Sequence, residues 1–157
     1  MSLGVVRFFR CLTNNQNLPE NSDHCPSLPQ KEVESPPPLL SQLSPTSLAY
    51  LGDAVYELYI RCYYLWPPRK ISHYHSLVVE KVRAEYQAQQ LLTIYPLLNE
   101  KEKEWVKRGR NAVNRSPRGS LPLKVYQAAS AFETLLGYLY LCDQNRLHYI
   151  LSQLELK

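Results

Sequence analysis

Apolar side chains recur at helical spacing through LAYLGDAVYELYIRCYYLW, residues 48–66, and again through AFETLLGYLYL, residues 131–141. In the first run Leu48, Leu51, Val55, Leu58 and Cys62 form the inward stripe of an amphipathic helix. No stretch of the chain sustains the alternation of a half-buried strand, and no internal repeat is visible. These patterns predict an all-α fold.

Prolines and capping residues divide the remainder. Ser44-Pro45-Thr46-Ser47 is a helix-start signal, with serine at the cap and proline in the first turn. Pro67-Pro68 stops that helix. A second helix is predicted over 71–95, with Leu77, Val78, Val82, Tyr86 and Leu91 inward, ended by Pro96. A third opens at Asn99, where Asn99 and Glu102 match a capping box, carries Trp105 and Val106, and runs to about 111 or 112. The loop VNRSPRGS follows, then helices over 122–141 and 143–154. Residues 13–43 hold six of the twelve prolines among Asn, Ser, Gln and Glu, a composition that buries too little apolar surface to offset its ordering entropy. The expected organisation is a flexible extension, 1–43, and one folded domain, 44–157.

Several classes can be set aside. No run approaches the roughly 18 apolar residues of a membrane span. The opening MSLGVVRFFRCL has too short an apolar patch, and no small-residue cleavage site, for a secretory leader; its lack of acids keeps an organelle transit peptide as a minor alternative. Cys11, Cys25, Cys62 and Cys142 show no C-x-x-C spacing, which argues against a zinc site or a disulfide scaffold and for a reducing cytoplasm. The twelve tyrosines fall mostly at core spacing, among them Tyr56, Tyr59, Tyr86, Tyr126, Tyr138 and Tyr140, and are assigned to packing. His73, His75 and His148 lack metal-ligand spacing and are read as surface residues.

The two most apolar helices each carry an acid in apolar surroundings, Asp53 and Glu133. A carboxylate so placed must find a cation, hydrogen bonds or a metal, because burying a bare charge is very costly. Gly52 beside Asp53 and Gly137 one turn after Glu133 each weaken their helix unless close packing compensates. Two readings follow: the acids pair with buried arginines or face solvent, or two helices meet so that both acids hold a hard cation such as Mg2+. Glu57, one turn beyond Asp53, either orients a metal-bound water or is a surface acid.

Net charge is +4, unevenly spread. Residues 1–43 carry three basic and four acidic side chains, whereas 44–157 carry fifteen and ten. Lys107, Arg108, Arg110, Arg115, Arg118 and Lys124 lie between Trp105 and Phe132 with no acid among them. Guanidinium groups clamp phosphates in pairs, and Asn111 and Asn114 could reach sugar hydroxyls or base edges. A polyanionic partner is expected.

With these residues in place the chain resembles the ribonuclease III family. LAYLGDAVYEL is similar to its signature helix and SAFETLLGYLYL to its second acidic motif. The intervening RGRNA resembles the short Mini-ribonuclease III branch, which lacks a double-stranded RNA-binding domain. The resemblance covers residues 44–155. It implies that Asp53 and Glu133 are catalytic and that both bind Mg2+. Two positions that are acidic in longer family members are Ala49 and Ser130 here, with Ser130 left as a residue lining the site. It further implies a homodimer that cuts double-stranded RNA, a stem in precursor 23S ribosomal RNA, with an accessory ribosomal protein as a further partner. The competing reading is a catalytically silent RNA-binding or ribosome-associated module of the same fold. A second alternative is a helical adaptor whose basic loop binds an acidic protein.

Overall fold

The computed structural model describes residue 40 and residues 42–114 and 121–156. Among them the regular structure is helical: α1 (Pro45–Tyr64), α2 (Ile71–Val82), α3 (Ala84–Ile94), a 3-10 turn (Tyr95–Leu97), α4 (Glu100–Ala112), α5 (Leu123–Cys142) and α6 (Gln144–Ser152). The proline-rich segment 1–39 and the loop 115–120 lie outside the described residues.

The expected helix starts are present. Ser44 Oγ accepts from the Ser47 amide at 3.0 Å, with Pro45 opening α1. Asn99 and Glu102 exchange side-chain and backbone hydrogen bonds at 2.9 and 2.8 Å, forming the capping box of α4. Asp143 caps α6 by accepting from the Arg146 amide at 2.8 Å.

α5 is the centre of the bundle. From Ala129 to Leu139 it is apolar around nearly its whole circumference, and only a helix surrounded by neighbours can bury such a surface. α1, α3 and α4 pack around it, and α6 follows at its C-terminal end. Phe132, Leu135, Leu136 and Leu139 are fully buried against Leu48, Tyr56, Ile60, Leu91 and Ile150. The core tyrosines bury their rings and lend hydroxyls to backbone carbonyls. Tyr56 donates to Lys81 and Tyr59 to Leu151, both at 3.0 Å, and Tyr64 donates to Leu156 and Tyr86 to Glu155.

The predicted helix over 71–95 is two helices. Arg83 is extended, with ψ 149°, and separates α2 from α3. Gln87 follows Val78 by nine residues, about two and a half turns, so a continuous helix would set them on opposite faces. The break rephases the chain, and Val78 and Lys81 on α2 and Gln87, Gln90, Leu91 and Ile94 on α3 all become buried. Four side chains expected inside are elsewhere: Leu58 and Tyr140 are exposed, and Leu77 and Tyr126 are only partly buried, outside the core cluster. His148, expected on the surface, is half-buried.

Candidate active site

The site is built where α1 crosses α5. A Cβ added at Gly52 would lie 1.8 Å from the Glu133 carbonyl oxygen, and one added at Gly137 would lie 2.0 Å from that of Leu48. No other residue permits backbones to approach so closely, so these glycines are what the crossing requires. The crossing brings Asp53 of α1 beside Glu133 of α5.

Asp53 stands at the rim, exposed, because positions 50, 53, 54, 57 and 58 of α1 turn away from the bundle or toward its edge. The expectation that it lies inside an apolar helix is corrected accordingly. Its carboxyl is nonetheless partly desolvated on its inner side, and with the charge of Glu57 this raises its pKa. Glu133 sits deeper. Burial, then the neighbouring Asp53 charge, pushes its pKa up to about 7. Among the described residues neither acid forms an ion pair. The reading in which each is balanced by a buried arginine therefore finds no partner among those residues. Among the described residues the site is two neighbouring carboxylates without a protein cation.

A third residue completes the pair. Gln87 of α3 is buried, and its carboxamide favours the charged form of both carboxylates, acting against the desolvation. Sequence reasoning missed it, because an unbroken helix over 71–95 would have turned position 87 away from the core. The signal available was its place in AEYQAQQLLTI, one turn before Leu91.

Glu57 accepts from Arg61 at 2.5 Å in an exposed pair one turn apart, while its charge is felt by Asp53. Ala49 and Ser130 come together with Thr46, Gly109, Asn114 and Tyr126 around a cavity of about 230 Å³. Each lies one turn before one of the two acids, so this cavity adjoins the pair. Its closeness to α4 again depends on a glycine: a Cβ at Gly109 would lie 2.4 Å from Thr134 Oγ1.

The basic stretch is divided. Lys107, Arg110 and Asn111 are exposed and line a groove on the outer side of α4, which they share with Lys103, Glu100 and Glu104. Arg108 points elsewhere, its guanidinium 3.8 Å from the centre of the Trp105 ring. Trp105 in turn stacks on Tyr138 at 5.1 Å. Lys124 is exposed in the first turn of α5. Arg115 and Arg118 lie outside the described residues; before them, the Val113 carbonyl accepts from Gln127 Nε2 at 3.0 Å.

Comparison with known proteins places this arrangement. Residues 46–144, which contain the crossing and both acids, match the model of the Ribonuclease III domain. The chain belongs to the ribonuclease III family. Relatives within it include Mini-ribonucleases 3. A Mini-ribonuclease 3 of Synechocystis sp. is 58% identical over 119 residues, covering 76% of this chain and 82% of the relative. That of Gloeobacter violaceus is 46% identical over 115 residues, covering 73% and 84%. A crystal structure of a protein from Fusobacterium nucleatum has the same ribonuclease III-type helical architecture, with a TM-score of 0.67 and 34% identity, covering 73% of this chain and 93% of that one.

Proposed function

We propose that this ribonuclease III-family chain is a Mg2+-dependent endoribonuclease that cuts double-stranded RNA. The observation that carries this reading is the meeting of Asp53 and Glu133 from two helices, desolvated and mutually repelling, with no ion-pair partner among the described residues. The donor set suits a hard divalent ion: two carboxylates with neutral oxygen donors nearby, and neither thiolate nor imidazole. When bound, Mg2+ would supply positive charge against the scissile phosphate and acidify a water nucleophile.

The chain's own residues do the rest. Asp53 at the rim is open to a substrate, while Glu133 anchors the site from below. Lys107, Arg110 and Lys124, with Arg115 and Arg118 in the loop, are the groups that would neutralise backbone phosphates; Asn111 and Asn114 would hydrogen-bond sugars or base edges. Arg108 joins them only by leaving the Trp105 ring. Glu57 acts on Asp53 through its charge, and Ser130 lines the adjoining cavity. So small a surface reads duplex shape more than sequence.

Homodimerisation is supported by α1, which turns Tyr50, Ala54 and Leu58 outward along one stripe, with Tyr50 86% exposed. The natural substrate proposed is a stem of precursor 23S ribosomal RNA in the cytoplasm, with an accessory ribosomal protein as a further partner. No described helix is long and apolar enough to cross a membrane.

A long RNA duplex, and separately a precursor 23S stem, incubated with the protein and Mg2+ should be cut. Asp53→Asn and Glu133→Gln should each slow cutting by ~100-fold or more while retaining binding, since loss of a metal ligand costs at least as much as loss of the partner that orients it. Cutting at the parent rate by Asp53→Asn would end the proposal, and binding without any cutting by the parent would favour the silent RNA-binding module.

A further inference from the structure

Two glutamines are buried on the inward face of α3, and their surroundings differ. Gln90 is satisfied twice over by one residue near the C-terminus: its Nε2 donates to the Glu155 carbonyl at 3.3 Å and its Oε1 accepts from the Glu155 amide at 3.0 Å. Holding that C-terminal segment is sufficient reason for an amide at position 90.

Gln87 has no such reason. It is 1% exposed, and its Oε1 is buried without a hydrogen-bond partner. An orphaned buried acceptor forfeits the hydrogen bonds it makes to water in the unfolded chain. Leucine or methionine would fill a similar volume without that cost. What the amide does supply is an NH2 group with two hydrogens, next to two carboxylates that each respond to it. The amide orientation follows from this: with the oxygen turned toward the acids it would repel both.

We infer that Gln87 is a positioning residue, its Nε2 bracing one oxygen of Asp53 and one of Glu133 across the α1–α5 crossing and leaving the remaining oxygens for a divalent cation. The carboxylates belong to different helices, and Asp53 is at the exposed rim, so a donor fixed in the core of a third helix sets their relative orientation before an ion arrives. The unsatisfied Oε1 is the cost of holding the nitrogen in that place. This inference rests on the reading of the acid pair as a metal site.

The test uses Mn2+ alone as a paramagnetic stand-in for Mg2+, titrated into the full chain and into Gln87→Leu, Gln87→Met, Gln90→Leu and Asp53→Asn, with thermal melts of each in chelator. Gln87→Leu and Gln87→Met should bind Mn2+ ~10–100-fold more weakly, the usual loss when a partner orienting a ligand is removed, while melting at or above the parent temperature. Gln90→Leu should do the reverse, melting lower with Mn2+ affinity intact. Asp53→Asn should lose Mn2+ binding. Parent-like affinity in both Gln87 variants, with binding lost in Asp53→Asn, overturns the positioning role and leaves the metal site standing. Parent-like affinity in Asp53→Asn removes the metal site and the role of Gln87 with it. Loss of the fold in both Gln87 variants makes the residue structural and overturns the inference as well.

Discussion

Glu102 and Glu133 are both desolvated by the same bundle, the first fully buried and the second partly, and their carboxyls are driven in opposite directions. Glu102, at the start of α4, is 2% exposed and receives everything a buried carboxylate needs. Arg146 grips it with Nε at 2.7 Å and Nη2 at 2.9 Å, and the Asn99 amide donates at 2.8 Å. Burial opposes its charge, but the arginine and the amide prevail and its pKa falls. Glu133 suffers the same desolvation and has Asp53 in place of an arginine, so its pKa rises to about 7. Burial is therefore not what marks a functional acid. What sets Glu133 apart, under the proposed function, is burial beside a second acid with no ion-pair partner among the described residues.

That contrast can be broken from either end. The largest effect is expected from Arg146→Ala, which strands Glu102 and also removes the 2.7 Å bond to the Leu97 carbonyl. Breaking one side of a buried pair costs about 3–5 kcal/mol; with Arg146 partly exposed and the Asn99 amide still in place, about 3 is expected from denaturant unfolding. A loss below about 1 kcal/mol would mean that Glu102 is held by its cap alone.

Removing the demand at the other site should stabilise the protein. Glu133 has a folded-state pKa raised above its unfolded value, so protonation favours the fold. The pair's contribution is fully present below pH ~4.5, the ordinary glutamate range, and drains away as pH climbs through about 7. Without divalent ions, Glu133→Gln should remove that decline and exceed the parent's stability at pH 8 by on the order of 2 kcal/mol. Equal slopes in parent and variant between pH 5 and 8 would show that burial and the Asp53 charge do not raise the Glu133 pKa in the folded state. Glu102 behaves oppositely: its depressed pKa contributes stability at neutral pH that is lost only as pH falls through the carboxylate range.

The smallest change sharpens the comparison. Glu57→Gln removes the exposed pair with Arg61 and one negative charge near Asp53. Exposed pairs of this kind are worth about 0.3–0.5 kcal/mol, and relief of Asp53 works against that loss, so unfolding should shift by less than about 0.5. The site should respond more than the fold, with the Asp53 pKa moving down in a carboxylate NMR titration.

Much of this molecule was legible in its residues. Helical periodicity, the Ser44 and Asn99 caps and the proline stops locate most helix ends, because these depend on local backbone and side-chain chemistry within one turn. The pairing of Gly52 with Gly137 was readable too, since a helical glycine is tolerated where close packing compensates. Asp53 and Glu133 stood out as acids in apolar runs. What was hidden depends on contacts across the bundle: the break at Arg83, which sits in a locally helical sequence, and through it the inward turn of Gln87; the outward turn of Leu58 and Tyr140; the departure of Arg108 from the other basic residues toward Trp105.

The sequence by itself determined which segments are mainly helical and which acids stand within apolar runs, since these follow from spacing and composition. Only the tertiary structure decided which buried glutamate meets an arginine and which meets another acid, because electrostatic partners are set by distance in space, and residues as far apart in sequence as Glu102 and Arg146, or Asp53 and Glu133, acquire that distance only when the helices pack.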